Sequence, residues 1–283
     1  MRLEGPDYPA PAKLNLFLHV VGRRADGYHL LQSAFALVDA ADRLRFAVRE
    51  DGEIRRVSDL PGVPAESDLV VRAARALKAE TRTALGTDIP VDKRLPLGGG
   101  VGGGSSDAAT TLLVLNRLWG TGLPRARLQE IGAKLGADVP FFVFGRNAWV
   151  EGVGERLAPL DLPPAWYLVL VPPVAVPTAE IFGAPELTRD TEPLKMEDFS
   201  AHAGIFAALR NDLEAVVAAR YPAVREHLEW LSGHGGGRLT GSGACVFASF
   251  GDQASAERVL EELPGHMKGF VARGLGQHPL RDL

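Results

Sequence analysis

Leu97-Gly-Gly-Gly-Val-Gly-Gly-Gly-Ser-Ser-Asp-Ala-Ala109 holds six of the chain's 32 glycines. A strand pattern, Ile89 to Leu95, runs into this tract, and a helix pattern runs out of it to Trp119, with Gly120 as its stop. Glycines between a strand and a helix let backbone amides approach a ligand closely and adopt positive φ. The helix N-terminus adds unpaired N–H groups and a dipole that favours an anion. Ser105 or Ser106 is expected to cap the helix, and both supply hydroxyls for a phosphate oxygen or a Mg²⁺ ion. The spacing predicts a polyphosphate cradle built from Gly98, Gly99, Gly100, Gly102, Gly103, Gly104, Ser105 and Ser106. No Gly-Lys-Ser/Thr follows, so it is not a P-loop. A glycine run matches GxGxxG trivially, and the acidic strand-end residue of a dinucleotide site, about 20 residues on, would fall where the helix pattern continues. Closely flanking hydrophobic segments argue against a flexible linker.

A second glycine loop lies in Arg238-Leu-Thr-Gly-Ser-Gly-Ala-Cys-Val-Phe-Ala-Ser249. Alone it reads equally as a tight bend in a strand; paired with the first loop it points to a ligand shared between two domains. Near the start, residues 13–21 read as a strand with Leu14, Leu16, Leu18 and Val20 on the core face and Lys13, Asn15, Phe17 and His19 on the other. Lys13 beside Asn15 suits charge neutralisation at a phosphoryl group, although a strand-end lysine also snorkels to solvent. Asp138, between Gly136 and Pro140, is a candidate base and equally a helix N-cap. Tyr28 and His29 follow a glycine turn, and Phe182 follows Pro177-Thr178. Spacing alone favours packing for these aromatics, with stacking on a base as the functional reading. Lys93-Arg94 suits either a phosphate or a solvated strand end, and Asn211-Asp212-Leu213-Glu214 reads as helix with no deducible role.

Composition bounds the rest. At 283 residues about two domains are expected, and the Pro-rich run 157–164 marks the division into 1–160 and 161–283. Lysines and arginines number 31 against 35 acidic residues, a net charge of −4, which disfavours nucleic-acid binding. A single cysteine, Cys245, excludes an intrachain disulfide and suits a reducing compartment. No CxxC or HExxH occurs, so no metal site is expected. The N-terminus lacks a signal pattern, and the apolar tract Trp166–Val171 is too short to span a bilayer. A cytoplasmic protein without membrane contact is expected. Residues 49–66 read as a surface connection or hairpin, Tyr28 to about Val48 as mixed, and helices are expected from Ser67 or Asp68 to about Leu85, near 178–182, and over 204–220 and 222–232. Strands and helices mix in both halves, giving an α/β or α+β class.

Several motifs together resemble the GHMP kinases: Pro11-Ala-Lys-Leu-Asn-Leu-Phe-Leu18, Arg24-Ala-Asp-Gly-Tyr-His29, the tract 97–109, Leu135-Gly-Ala-Asp-Val-Pro140 and Leu239-Thr-Gly-Ser-Gly-Ala-Cys-Val-Phe247. The resemblance spans residues 8 to about 280. It implies a mixed α/β (α+β) two-domain architecture with the active site in the interdomain cleft. Asp-Gly-Tyr-His points to the branch that phosphorylates, with ATP and Mg²⁺, the 2-hydroxyl of a cytidine diphosphate derivative of methylerythritol in non-mevalonate isoprenoid precursor biosynthesis. By this resemblance Lys13 and Asp138 are the catalytic pair, Asn15 and Thr178 lie near the substrate, Tyr28 and Phe182 sandwich the cytosine, and His29 reads its edge. Gly98 to Ser106 wrap the ATP phosphates, no tightly bound cofactor is implied, and the enzyme is a monomer or weak homodimer. Asp68 stands where the family commonly has an asparagine near adenine; an ionised aspartate cannot donate, so no nucleotide contact is carried over to it. A sugar or homoserine kinase of the same superfamily, and a non-catalytic nucleotide-binding protein, are the competing readings.

Overall fold

The computed structural model describes residues 5–60, 62–201 and 209–283. Two long strands, β1 (Tyr8–Arg23) and β2 (His29–Leu44), pair antiparallel across the polar Arg24–Tyr28 turn. The first half continues with β3 (Ala47–Arg49), β4 (Ile54–Arg56), α1 (Leu69–Thr81), β5 (Gly86–Ile89), β6 (Val91–Asp92), α2 (Gly103–Leu118), α3 (Arg125–Ala133), α4 (Val139–Phe144), β7 (Ala148–Gly152) and β8 (Arg156–Pro159). The second half holds β9 (Trp166–Leu170), α5 (Thr178–Gly183), α6 (Met196–Ala201), α7 (Glu214–Arg220), α8 (Pro222–Ser232), β10 (Arg238–Leu239), β11 (Val246–Phe250), α9 (Gln253–Glu261) and β12 (Gly269–Leu275). The expected helix over 204–220 is thus seen from Glu214; its residues up to 208 lie outside the described residues.

The class is the mixed one expected from the sequence. A nine-stranded sheet runs β10-β11-β9-β12-β2-β7-β8, with β1 and β6 also on β2. One edge of β2 carries β1 along its length; the other carries β7 at Leu31–Phe35, β12 at Leu37–Val38 and β6 at Arg43–Leu44. Strands of both halves therefore join in one sheet through β12. A small sheet, β3-β5-β4, takes up part of the expected surface connection or hairpin. Pro90, which lacks an N–H, separates β5 from β6 where one strand was expected.

The β1–β2 ladder also explains why β2 reads as mixed in the sequence. Both strands are buried through their middles, so apolar and polar residues do not alternate with solvent. Register in β1 shifts between Asn15, opposite Phe35, and Phe17, opposite Ala34, leaving Leu16 unpaired. Such a bulge swaps the faces of all residues beyond it. Leu14, Leu16 and Phe17 pack together with Trp149, Tyr167 and Phe247. Leu18 and Val20, expected on the face of Leu14, pack instead with Leu168, Leu213 and Leu239.

Helix starts differ from expectation in one informative place. Asp68 caps α1, accepting from the Val70 amide at 3.0 Å. Neither Ser105 nor Ser106 caps α2: the helix begins at Gly103, after Gly102 in the left-handed conformation, with no side-chain cap bond. A positive-φ glycine makes the turn that a capping side chain would otherwise secure.

Candidate active site

A cavity of about 950 Å³ is lined from both halves of the chain. Lys13, Asn15 and Asp138 line it together with Tyr28, His29, Thr178 and Phe182. Gly98, Gly99, Gly100, Gly102, Gly103, Gly104 and Ser105 form another part of its wall, and Gly241, Ser242 and Gly243 of the second loop face the same space. Ser106 is the one predicted residue that does not reach it. That side chain is fully buried with no hydrogen-bond partner for Oγ, and its amide already donates to Gly102 O at 2.9 Å.

Lys13 is buried, only 3% exposed, and is not a snorkelling strand end. Its Nζ lies 3.5 Å from Asp138 Oδ2, donates to Asn15 Oδ1, and sits 4.5 Å above the Phe35 ring centroid. Burial pulls its pKa below the ordinary lysine value, and the Asp138 carboxylate opposes that shift. Asp138 occupies the N-cap position of α4 but makes no side-chain cap bond, so its carboxylate is left to the cavity and to Lys13. Asn15 Nδ2 donates to Ser33 Oγ at 3.2 Å, and the Asn15 amide donates to Thr240 Oγ1 at 3.0 Å. Thr240, at the mouth of the second glycine loop, thereby ties that loop to the strand bearing Lys13.

The two glycine loops touch. The Lys13 amide donates to Val101 O at 2.9 Å and the Cys245 amide to Gly99 O at 3.1 Å. A Cβ on Gly100 would run into Thr240 O, with Gly243 O only 3.0 Å away. At Gly102, where φ is +74°, a Cβ would lie 2.9 Å from Phe142 Cζ and 3.2 Å from Lys13 Cγ. The amides of Gly103, Gly104 and Ser105 precede the first intrahelical bond of α2, from the Ser106 amide to Gly102 O, and so have no acceptor within the helix.

Beneath this turn Lys93 Nζ pairs with Asp42 and, at 2.8 Å, with Asp107 Oδ2. Asp42 is fully buried and also accepts from the Arg94 and Leu95 amides at 2.6 and 2.8 Å. Burial foremost, opposed by Lys93 and reinforced by Asp42, pushes Asp107 up to about 7. Lys93 is therefore neither a solvated strand end nor a free cation. Asp68 is similarly engaged: besides its cap bond it pairs with Arg56 Nη1 at 2.6 Å, and it does not line the cavity, whereas its neighbour Leu69 does.

Elsewhere on the wall Tyr28 is 66% exposed, its amide bonded to Asp26 Oδ1 at 3.2 Å. The His29 and Phe182 rings lie 5.1 Å apart, tilted by 34°. Thr178 Oγ1 and Ser242 Oγ are 2.7 Å apart, joining the start of α5 to the second glycine loop. Burial first, then Arg189 and Arg23, lowers the His29 pKa below that of a free imidazole.

Residues 68–146 match the model of the GHMP kinases N terminal domain, and residues 194–269 that of the GHMP kinases C terminal. The chain is 60% identical over 275 residues to the 4-diphosphocytidyl-2-C-methyl-D-erythritol kinase of Aromatoleum aromaticum, covering 97% of this chain and 95% of the relative. It is 62% identical to the enzyme of that name from Thiobacillus denitrificans, covering 97% of each. The chain belongs to the GHMP kinases. This GHMP kinase also superposes on a crystal structure of 4-(cytidine 5'-diphospho)-2C-methyl-D-erythritol kinase with a TM-score of 0.83 at 34% identity, over 96% of this chain and all of that one. It is an ATP-dependent kinase, and no helix among its described residues is long and apolar enough to cross a membrane.

Sequence reading missed the residues that hold this kinase's site in shape. Asn211 Nδ2 donates to Leu239 O at 2.9 Å and to Gly241 O at 2.7 Å, fixing the second glycine loop. Asp212 accepts from the Val20 amide at 2.8 Å and from Thr191 Oγ1 at 2.7 Å. A polar pair directly before the apolar start of α7 was the available signal. Ser33 carried none, and Thr240 was legible only as part of the second glycine loop.

Proposed function

We propose that this GHMP kinase transfers the γ-phosphoryl group of ATP to the 2-hydroxyl of 4-diphosphocytidyl-2-C-methyl-D-erythritol, a step of non-mevalonate isoprenoid precursor biosynthesis. The observation that carries the reading is the Lys13–Asp138 pair, 3.5 Å apart, on a cavity that also holds the glycine-loop amides and the Tyr28, His29 and Phe182 rings. The relatives' names supply the substrate. In this reading Asp138 accepts the proton of the attacking hydroxyl, which is a weak nucleophile at neutral pH. Lys13, whose charged form Asp138 favours against its burial, neutralises charge on the phosphoryl group in flight. Asn15 fixes the ammonium through its Oδ1.

The amides of Gly98 to Gly104 and Ser105 take the ATP phosphates. Tyr28 and Phe182 enclose the cytosine, His29 meets its edge, and Thr178 lies beside the substrate. A Mg²⁺ ion bound together with the nucleotide would supply shielding of the phosphate charge. Phosphate oxygens and water are its usual partners, with one or two protein oxygens; the Ser105 hydroxyl on the cavity wall is a fitting one. The reading takes residues 1–160 and 161–283 as two units with the active site between them, in a cytoplasmic monomer or weak homodimer.

The test is ADP release from ATP with a panel of acceptors: the cytidyl substrate, uncytidylated methylerythritol phosphate, galactose and homoserine. Only the cytidyl compound should support turnover. Equal kcat/KM for the uncytidylated compound would remove the role of the aromatic wall. Preferred turnover of galactose or homoserine would move the enzyme to another branch, and binding without turnover would make it a non-catalytic nucleotide-binding protein.

A further inference from the structure

Arg189 follows α5 and does not itself line the cavity, yet it organises two residues that do. Its Nη1 donates to Leu187 O at 2.8 Å, and its Nη2 to Phe182 O at 3.0 Å and Ala184 O at 2.6 Å. With the guanidinium so fixed, its Nε points at His29 Nε2, 3.0 Å away. A guanidinium only donates. His29 Nε2 must therefore present a lone pair, since a hydrogen there would collide with the Nε–H. The combined effect of burial, Arg189 and Arg23 disfavours the imidazolium, so the ring is neutral at neutral pH. A neutral imidazole with Nε2 as acceptor carries its one hydrogen on Nδ1. Among the described residues Nδ1 has no hydrogen-bond partner.

We propose that Arg189 is a positioning residue that locks His29 as the Nδ1–H tautomer, so that the cavity offers a donor to the unprotonated ring nitrogen and carbonyl of cytosine and rejects uracil. The inference rests on the cytidyl reading of the cavity. Cytosine N3 is an acceptor beside the O2 acceptor. In uracil the same nitrogen bears a hydrogen, which would face the Nδ1–H donor to donor. A site that sets a fixed donor against a substrate donor loses a hydrogen bond and buries two unpaired hydrogens. Because the same guanidinium also holds the Phe182 carbonyl, one group sets both the stacking ring and the reading edge.

Two measurements on the full chain test this. Long-range ¹H–¹⁵N correlation on the ligand-free enzyme reports the His29 tautomer directly; the wild type should show a protonated Nδ1 and a bare Nε2. Steady-state kinetics with the cytidyl substrate and its uridyl analogue should give a kcat/KM ratio of at least about 100 in the wild type. In Arg189→Met the bare-Nδ1 tautomer becomes accessible, and the ratio should fall tenfold or more because the uridyl analogue gains. Simple damage to the site would weaken both substrates and leave the ratio alone. Arg189→Lys keeps a donor cation and should retain the wild-type tautomer. A protonated Nε2 in the wild type overturns the proposal, and this holds even where Arg189→Met does not fold; an unchanged ratio in a folded Arg189→Met overturns it as well. Failure of the wild type to use the cytidyl substrate at all refutes the assigned function instead, and the tautomer in the free enzyme is read independently of that.

Discussion

Replacing Asp138 by asparagine keeps the side-chain shape and removes its charge and basicity. Two opposite unit charges 3.5 Å apart attract by about 5 kcal/mol at an effective dielectric of about 20. Asp138 is about a third exposed, so solvent screening reduces its net coupling to Lys13 to roughly 1–3 kcal/mol. Its loss leaves the buried Lys13 ammonium facing desolvation unopposed. The Lys13 pKa then falls further below the ordinary lysine value than in the wild type, where Asp138 already fails to offset burial fully. Two consequences follow for the rate. Loss of the base should lower kcat by about 10²–10⁴. The alkaline limb of the residual kcat–pH profile should move to lower pH, because the ammonium deprotonates sooner. Stability should fall by no more than that coupling. Asp138 makes no cap hydrogen bond, so the roughly 1 kcal/mol that a lost N-cap costs does not add to it, and at about 2–4 °C per kcal/mol Tm should drop by roughly 2–12 °C. ADP release at saturating concentrations of both substrates, with a thermal melt on the same preparation, measures all of this. Lys13→Met should also lower kcat, and the double variant should lose less than the product of the single losses. A folded Asp138→Asn enzyme with kcat within threefold of wild type would end the case for Asp138 as base.

Gly102→Ala places a Cβ against Phe142 and Lys13 at φ +74°; calorimetry should show ATP affinity falling more than affinity for the cytidyl substrate, and equal losses would count against the loop as the phosphate site. Tyr28→Ala removes a ring that is two-thirds exposed, so Tm should hold while KM for the cytidyl substrate rises about tenfold, given 1–3 kcal/mol per stacked base; an unchanged KM would exclude stacking. Asp107 is raised to about 7 when folded against 3.8 for an unperturbed aspartate, so the folded chain binds a proton that the unfolded chain does not across that interval, and this contribution stabilises the fold as pH falls. The Tm of wild type minus that of Asp107→Asn should therefore increase from pH 8 to pH 5; a flat difference would mean that Asp107 stays ionised beside Lys93.

What the sequence shows of this molecule is what is written in short local spacing. The tract 97–109 needs glycine for its turn at Gly102 and for the close approach of Gly100 to Thr240, and those demands leave a compositional mark. The face of β1 beyond Leu16 is different. One unpaired residue reverses the alternation, and nothing in Leu-Asn-Leu-Phe-Leu announces which residue is extra. The bulge is sustained by distant partners: Arg238 Nη1 donates to the freed Leu16 carbonyl at 2.9 Å, a contact 222 positions away. Ser106 fails for the opposite reason. It sits in the right motif, but the helix starts three residues earlier than a Ser105 cap, and four earlier than a Ser106 cap, would place it, and Ser106 is buried.

The same bulge bears on the chemistry. Before Leu16, β1 turns Lys13 and Asn15 to the cavity; after it, Leu18 faces that cavity too, an apolar wall where strict alternation would place His19. The Lys13 ammonium thus lies beside Phe35, Asn15 and the Asp138 carboxylate. In so buried a position an arriving phosphoryl charge would be felt strongly, and the ammonium would need little reorganisation to meet it, because Val101 O holds its backbone and Asn15, anchored to Ser33 and Thr240, holds its head. On the proposed reading, the burial that lowers the Lys13 pKa in the resting enzyme would be offset when negative charge builds up beside it. The interaction would then be stronger during transfer than before the phosphoryl group arrives, which is the condition for it to raise kcat as well as affinity.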